Sequence, residues 1–187
     1  LFAKRHQGTF ILRIEDTDVA RSEKKYVNQL IEDLHWLGLT WQEGPDVGGQ
    51  YVPYLQSERL HIYNDHCQKF LKEDIAYRCY CTPEELEERR RIARLMGKPP
   101  RYDNRCRELT DKQKSAFETS NLKYTIRFKV PDELIVFDDL IRGTCQFDMS
   151  LTGDFVIMRS DGTPSFHFAV AIDDTMMNIT HVIRGED

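Results

Sequence analysis

Three carboxylates and two guanidinium groups stand within nine residues of one another, directly after a short apolar run. The run spans residues 10–12 and is typical of a buried strand. The charged residues that follow it are Arg13, Glu15, Asp16, Asp18 and Arg21. Because ligands bind beyond the strand ends of an open α/β sheet, we interpret this cluster as a site for a small zwitterion or a sugar.

The same segment also fits a purely structural role. Asp16, Thr17, Asp18 and Ser22 are residue types that cap helix N-termini. A helical pattern with one apolar face follows over residues 22–37, and Gly38 is placed to end it. The segment by itself therefore leaves both interpretations open.

Three cysteines form a second candidate site for chemistry. Cys79 and Cys81 are one residue apart, and Cys106 follows after a predicted helix and a basic loop. Zinc prefers four tetrahedral ligands, with cysteine sulfur favoured. The candidates for the fourth ligand are His61, His66, Tyr102 and Glu108. We prefer Tyr102, since a divalent ion can drive ionisation of a phenol; three unpaired cytosolic thiols are the alternative.

A basic segment surrounds the third cysteine. Residues 89–107 contain seven arginines and one lysine against one acid, in a chain whose net charge is −5. A local cationic patch on an acidic protein indicates a polyanionic partner. Pairing with glutamates at helical spacing would explain only the helical arginines. We therefore expect Arg101, Arg105 and Arg107, which lie beyond the helix, to contact RNA or DNA.

The C-terminal part contains a second polar strand end. The pattern predicts strands over 165–172 and 179–184, the first of them preceded by a hairpin turn at 160–162. His167 is then either a packed hairpin residue or a ligand contact. Arg184 leaves the sheet where the second strand ends, and paired with Glu15 it would form a clamp for a carboxylate.

Composition and periodicity predict an α/β chain. The 187 residues, 40% of them apolar, suffice for one large or two small domains. Strand, helix, loop, helix and strand over residues 10–80 suggest a βαβ unit with a parallel sheet. A capping box at Thr82 starts a helix that ends near Met96. Further strands are predicted over 124–130, 134–137 and 155–159.

This order predicts a parallel-sheet domain interrupted by an α+β insertion. The boundaries are 1–78 for the first part, 79–180 for the insertion and 181–187 for the returning strand. No apolar run approaches the roughly 20 residues that span a bilayer, and no signal peptide is recognisable. Five cysteines without an even framework favour the cytoplasm. Both ends look cut, so we expect a piece of a larger protein.

The chain resembles the glutamyl-tRNA synthetases of bacterial type, which are class I aminoacyl-tRNA synthetases. The shared segments run in order along the whole chain: RIEDTD at 13–18 with Arg21, WLG at 36–38, EGPD at 43–46, QSER at 56–59, AY at 76–77, TPEEL at 82–86, RG at 142–143, RSDG at 159–162 and HVIRGED at 181–187. The resemblance implies a Rossmann catalytic domain with an inserted domain that holds the acceptor end of tRNA.

The resemblance also implies a reaction and its partners. Glutamate and ATP, with Mg²⁺, would form glutamyl-adenylate, and the glutamyl group would pass to the terminal adenosine of tRNA(Glu). The protein would be a cytoplasmic monomer without membrane contact. Rival interpretations are the shorter paralogue that glutamylates queuosine in tRNA, and a non-catalytic RNA-binding module of the same fold. Retention of Glu15 and Arg184 argues against the second rival.

Individual site residues follow from the matching segments. Glu15 matches the family residue that receives the amino group of glutamate, and Arg184 an arginine that meets a substrate carboxylate. Phe166 stands where a tyrosine commonly lines the amino-acid pocket, so one hydroxyl is missing. The residues expected near the nucleotide and the tRNA 3′ end are Asp18, Arg21 and Glu186.

The cysteine spacing also resembles a feature of the family. Cys79, Cys81, Tyr102 and Cys106 match the structural zinc knuckle of some members. Other members place a histidine at the position of Glu108, which favours Tyr102. The His-Ile-Gly-His and Lys-Met-Ser-Lys-Ser signatures are absent, so the catalytic residues are unknown. We expect the fragment alone to be inactive in adenylate formation.

Overall fold

Residues 1–17 and 22–183 are described by a computed structural model. Two units are present, the first comprising Leu1–His66 with Thr163–Asp187 and the second Cys67–Gly162. No helix in the described ranges is long and apolar enough to cross a bilayer. The sequence-based boundaries at 78/79 and 180/181 lie 12 and 18 residues beyond these divisions.

Helices, short strands and 3-10 turns alternate along the chain. In chain order they are α1 (Phe2–Arg5), α2 (Lys24–Trp36), a 3-10 turn (Gln56–Arg59), α3 (Leu60–Lys72), β1 (Ala76–Cys79), α4 (Pro83–Leu95), α5 (Asp111–Thr119), β2 (Thr125–Phe128), β3 (Leu134–Asp139), β4 (Gly143–Asp148), a second 3-10 turn (Met149–Leu151), β5 (Val156–Met158) and α6 (Phe166–Met176). The chain is thus of mixed α/β composition with small antiparallel sheets.

The extended segment at residues 10–14 belongs to the first unit. It pairs in parallel at two isolated bridges, Ile11 with Glu43 and Ile14 with Leu55. Ile14 donates to the carbonyl of Tyr54 at 2.9 Å and accepts from the Gln56 N–H at 3.0 Å. The strand predicted over 10–12 is therefore a short extended stretch. Backbone hydrogen bonds at Ile14 hold its end, directly before Glu15 and Asp16.

The predicted parallel pairing of the strand at 75–80 is wrong. β1 pairs antiparallel with β2, and β2 pairs antiparallel with β5. All three strands are short, and Ile126, Ile157 and Cys79 are among the buried residues that they contribute to the second unit. The sequence pattern located β1 correctly, but pairing partners depend on residues about 50 positions away.

The predicted strand over 165–172 is also wrong, because this stretch is helix α6. Phe168, Ala169 and Ile172 are its buried apolar residues, a spacing that matches one helical face rather than an alternating strand. The turn before it exists, with the Gly162 N–H bonded to the Arg159 carbonyl at 3.0 Å. That turn leads into a helix, so His167 is not a hairpin residue.

The last predicted strand, over 179–184, is not formed in residues 179–183, and Arg184 lies outside the described residues. Helix α5 and strand β4 were not predicted. A signal for α5 was present, since Thr110 and Gln113 form a complete capping box. The same motif at Thr82 and Glu85 correctly predicted α4.

The first unit is organised around the carboxylate of Asp173, on α6, which is fully buried. Its oxygens accept hydrogen bonds from Arg59 Nε at 2.7 Å, Tyr63 Oη at 2.8 Å and Gln56 Nε2 at 2.9 Å. Burial and this bond raise the pKa of Tyr63 well above its ordinary value, so the phenol remains a donor. Asp173 thus ties α6 to the chain around Gln56 and to α3.

We predict that Asp173→Ala lowers the free energy of unfolding of the first unit by about 3–5 kcal/mol, because it leaves Arg59 as an uncompensated buried cation. Urea unfolding followed by circular dichroism measures this change. Asp65→Ala, at an exposed position of α3, serves as the control and should change stability by less than about 0.5 kcal/mol. Equal effects of the two variants would contradict the assignment.

Candidate functional sites

Glu15 is presented by a network of charges in the first unit. The Arg13 guanidinium donates to Glu15 Oε1 at 2.9 Å and to Asp174 Oδ1 at 2.7 Å. Its Nε also lies 3.7 Å from Asp173 Oδ2. The Glu15 side chain retains 33% exposure, so its carboxylate is fixed from one side and accessible from the other. Such a carboxylate can accept a hydrogen bond from an ammonium group.

The charge of Arg13 is stabilised by its surroundings. Burial lowers its pKa, but the hydrogen bonds to Asp174 and Glu15 outweigh this effect, and the pKa lies above its ordinary value. Arg13 is therefore a permanent cation beside Glu15. The sequence placed Arg13 in the cluster but gave no indication that α6 would supply its partners.

Asp16 has a structural role, in agreement with the alternative interpretation of the charged cluster as a set of capping residues. Its Oδ1 accepts from the backbone N–H of Ser57 at 2.8 Å, and its Oδ2 from the Ser57 hydroxyl at 2.6 Å. Asp16 therefore fixes the 3-10 turn that precedes α3, and it is 8% exposed. The two adjacent acids thus have different tasks, Asp16 in packing and Glu15 at the accessible surface.

A cleft of about 190 Å³ lies beside Glu15. Its lining residues are Ile14, Glu15, Asp16, Ser22, Glu23, Tyr26, Val27 and Leu30. Phe166, at the start of α6, is 41% exposed and is not part of this lining. The predicted site residues Asp18, Arg21, Arg184 and Glu186 lie outside the described residues. Of the two described residues of the predicted glutamate site, Glu15 thus lines the cleft and Phe166 does not.

The three cysteines of the second unit converge. The sulfur atoms of Cys79, Cys81 and Cys106 lie within 4.8 Å of one another. Tyr102 Oη is 3.4 Å from Cys79 Sγ and 3.7 Å from Cys81 Sγ, and Cys81 Sγ is 3.6 Å from Cys106 Sγ. Among the described residues, the Glu108 carboxylate does not join this group.

The three separations of 3.4, 3.7 and 3.6 Å are close to the edges of a tetrahedral zinc site. A Zn–S bond of about 2.3 Å implies sulfur atoms about 3.8 Å apart, and an oxygen ligand about 3.5 Å from each sulfur. The side chains of Cys79, Cys81, Tyr102 and Cys106, the cysteine–tyrosine cluster, therefore lie at separations that one ion could bridge. Cys79 and Cys106 are buried, which limits access of water to it.

Local structure explains why the cluster forms. Cys79 is the last residue of β1, and the capping box of α4 begins directly after Cys81. Asn104, with a φ of 59°, turns the chain so that the Arg107 N–H bonds to the Asn104 carbonyl at 2.8 Å. This turn returns Cys106 to the end of β1.

The thiols of the cluster differ in acidity. A hydrogen bond from Cys106, with further contributions from Tyr102 and Arg127, lowers the pKa of Cys79. The same bond raises the pKa of Cys106, and burial raises that of Tyr102. One thiolate is therefore favoured without metal, and an ion would have to displace protons from the other ligands.

The basic segment is largely paired within the second unit. The helical arginines contact acids of α4 and its flanks, which are Arg90 with Glu87 at 3.3 Å, Arg91 with Glu88 at 2.7 Å, Arg94 with Glu87 at 3.2 Å, and Arg89 with Asp103. Pairing with glutamates, the alternative to a nucleic-acid contact, thus accounts for the arginines of α4 at positions 90, 91 and 94.

The three predicted nucleic-acid contacts differ in how they are engaged. Arg101 donates to the carbonyl of Ser150, and Arg107 lies 3.4 Å from the buried carboxylate of Asp154. Arg105 pairs only loosely with Glu85, at 3.6 Å, and is 46% exposed. Arg89, Arg90 and Arg101 also line a cleft of about 330 Å³. Arg105 is therefore the most available of the three for a phosphate.

Two residues of this region were missed by sequence analysis. Asp154 is 2% exposed and accepts from Tyr77 Oη at 2.7 Å and from the Val130 N–H at 2.8 Å. Arg127, in β2, is 6% exposed, and its Cζ lies 3.8 Å from the centroid of the Tyr102 ring. A charged residue within a short apolar strand was the available signal for Arg127.

Comparison with known proteins identifies the family of the chain. The sequence profile of class I tRNA synthetases (E and Q), catalytic domain, matches residues 1–187. The chain belongs to this family.

The similar proteins within this family include several glutamate–tRNA ligases. The glutamate–tRNA ligase of Sulfurihydrogenibium sp. (strain YO3AOP1) is 54% identical over 187 residues, and that of Symbiobacterium thermophilum is 50% identical. Each alignment covers the whole chain and 39% of the relative. The crystal structure of a glutamate tRNA ligase from Elizabethkingia meningosepticum, in complex with its amino acid, superposes with a TM-score of 0.89 at 41% identity. The superposition covers 98% of this chain and 38% of the chain in the crystal structure.

We predict that the cysteine–tyrosine cluster binds one zinc ion per chain when the protein is purified without chelator. Cys106→Ser should abolish retention of zinc during dialysis, because one of the four ligands is lost. Cys145→Ser, in β4, is the matched control and should retain it. Elemental analysis by mass spectrometry measures the metal.

Acid should also release the zinc, because its ligands must be deprotonated to bind it. At a zinc concentration one thousand times Kd, the bound ion should stabilise the fold by about 4 kcal/mol. Wild-type protein without zinc, or a Cys145→Ser variant that loses it equally, would refute the site.

Proposed function

We propose that this chain forms part of the catalytic region of a glutamate–tRNA ligase. The observation that carries the proposal is the sequence identity of 54% to such an enzyme. The alignment covers all 187 residues of the chain and therefore both units. The chain spans about 39% of the length of the curated relatives. The complete enzyme would join glutamate to ATP with release of pyrophosphate, and then transfer the glutamyl group from the adenylate to tRNA(Glu).

Glu15 is proposed to receive the α-ammonium group of glutamate. Its carboxylate is fixed through Oε1 by Arg13, which in turn is bonded to Asp174 on α6. A substrate ammonium would therefore meet a carboxylate whose orientation is set before binding, which reduces the entropy lost when the complex forms. The cleft of about 190 Å³ beside Glu15 provides room for a small ligand.

The remaining substrate contacts rest on the family resemblance. Arg184 is proposed to meet a carboxylate of glutamate, and Phe166 to line its pocket without the hydroxyl group of a tyrosine. Asp18, Arg21 and Glu186 are proposed to lie near the nucleotide and the tRNA 3′ end. ATP would enter with Mg²⁺. A cytoplasmic location and a monomeric state are part of the proposal.

The domain roles follow the same reasoning. We propose that the first unit belongs to a Rossmann-type catalytic domain and that residues 79–180 belong to an inserted domain for the tRNA acceptor end. The two parallel bridges at Ile11 and Ile14 are in keeping with the first assignment. The basic segment and the cysteine–tyrosine cluster, which would hold structural zinc, lie within the second. Similarity to proteins named glutamate–tRNA ligase supports this function over the queuosine-modifying paralogue.

We predict that Glu15→Gln, in an enzyme containing this chain at the length of its relatives, lowers kcat/KM for glutamate roughly 10- to 100-fold. A hydrogen bond to a charged group contributes about 1.5–3 kcal/mol, and the amide cannot balance the ammonium charge. Glutamate-dependent ATP–pyrophosphate exchange, with tRNA(Glu) present, measures the effect.

Glu32→Gln, on the exposed part of α2, is the control for this substitution and should leave exchange unchanged. An enzyme that charges tRNA(Glu) normally with Glu15→Gln would contradict the role of Glu15. An enzyme that forms no glutamyl-tRNA in either form would contradict the proposed function as a whole.

We predict that Arg105→Ala weakens binding of tRNA to the same enzyme and reduces the dependence of log K on log salt by about one unit. The guanidinium is exposed and only loosely paired, so it can neutralise one phosphate. Fluorescence anisotropy at several salt concentrations gives the slope. Arg91→Ala, whose charge is already paired with Glu88 at 2.7 Å, should affect the slope less. The same slope for wild type and Arg105→Ala would exclude a phosphate contact.

A further inference from the structure

Arg127 is a buried cation on the same face of the sheet as the cysteine–tyrosine cluster. In the β1–β2 register, Arg127 stands opposite Tyr77, and directly opposed residues share a face. Cys79 lies two residues beyond Tyr77 and therefore also on that face. The Arg127 Cζ is 3.8 Å from the centroid of the Tyr102 ring. The strand pairing and the side-chain position thus both place Arg127 beside the cysteine–tyrosine cluster.

The charge of Arg127 has no carboxylate partner among the described residues. Its Nη1 donates to the backbone carbonyl of Asp154 at 2.8 Å, and its Nε is buried without a hydrogen-bond partner. The nearby carboxylate of Asp154 is instead engaged by Tyr77, Val130 and Arg107. Because an ionised group buried without a counter-charge is costly, this position calls for an anion close by.

We propose that Arg127 is the counter-cation of the metal centre formed by Cys79, Cys81, Tyr102 and Cys106. Three thiolates and one phenolate around Zn²⁺ carry a net charge of −2, and one guanidinium halves it. The guanidinium lies over the Tyr102 ring, next to this ligand set. This inference rests on the zinc binding in the proposed function and goes beyond it, since it assigns a residue outside the ligand set.

The surroundings of Arg127 support this assignment over a phosphate partner. Arg127 shares a face with Cys79, and its guanidinium lies over the ring of Tyr102, so it stands beside two members of the cluster. Arg127 also borders the cleft of about 330 Å³, where an anion from solvent could approach. Its unpartnered Nε, however, is buried.

The test is zinc affinity, measured on the full chain by competition with a chromophoric chelator. We expect Arg127→Met to bind zinc roughly 10- to 100-fold more weakly, the range typical for residues that support metal ligands. Arg127→Lys keeps the charge and should stay close to wild type. Arg78→Met is the matched control, because Arg78 precedes Cys79 but pairs with Glu118 at 2.5 Å on the other face. It should bind zinc like wild type.

A double-mutant cycle separates charge compensation from packing. In a Tyr102→Phe background the centre has one negative charge less, so Arg127→Met should cost less zinc affinity than in wild type. Circular dichroism checks that each variant is folded, and Arg127→Gln is a second neutral substitution in case Arg127→Met does not fold. The zinc-induced rise in Tm is expected to shrink in parallel with affinity.

Three results would overturn the inference. Unchanged zinc affinity in a folded neutral variant would show that the charge is not needed. Equal losses in Arg127→Lys and Arg127→Met would show that shape, not charge, matters. Wild-type protein that binds no zinc would remove the metal centre itself, and because wild type is measured first, this outcome is distinguishable from the other two.

Discussion

The buried carboxylate of Asp173 is the constraint on which the first unit depends. It accepts hydrogen bonds from Gln56, Arg59 and Tyr63, all at least 110 residues earlier in the chain. A buried charge is tolerated only when its lone pairs are satisfied, so α6 has one position relative to these residues. Arg13 lies beside the same carboxylate and orients Glu15. The accessible carboxylate of the candidate amino-acid site is therefore positioned by a helix more than 150 residues away.

The second unit also contains a buried carboxylate that is satisfied by hydrogen bonds, that of Asp154. Asp154 satisfies Tyr77 and the backbone of Val130, and it leaves Arg127 without a carboxylate partner. In the first unit the buried charges are balanced within the protein. In the second, the balance of a buried guanidinium is left to the cysteine–tyrosine cluster. Arg127 needs a counter-charge because it is buried, whereas an exposed arginine such as Arg105 does not.

Local chemistry made several parts of the fold predictable. The capping box at Thr82 and Glu85 with Pro83 at the first helical position located α4, because these interactions lie within a few residues of one another. The prediction failed at 165–172, where the alternation of Phe166, His167 and Phe168 suggested a strand. The helical spacing of the buried residues became visible only over a longer window that includes Ile172 and Asp173.

The sequence by itself determined the residue types available for chemistry: a carboxylate at Glu15 after an extended segment, three cysteines with Tyr102 at the spacing of a metal knuckle, and a cationic segment among acids. The tertiary structure decided which of these are in contact. It made Asp16 a packing residue, gave Arg13 its partners on α6, and set Arg127 over Tyr102. The physical reason is that burial and charge pairing join residues far apart in the chain, and local patterns carry no record of those partners.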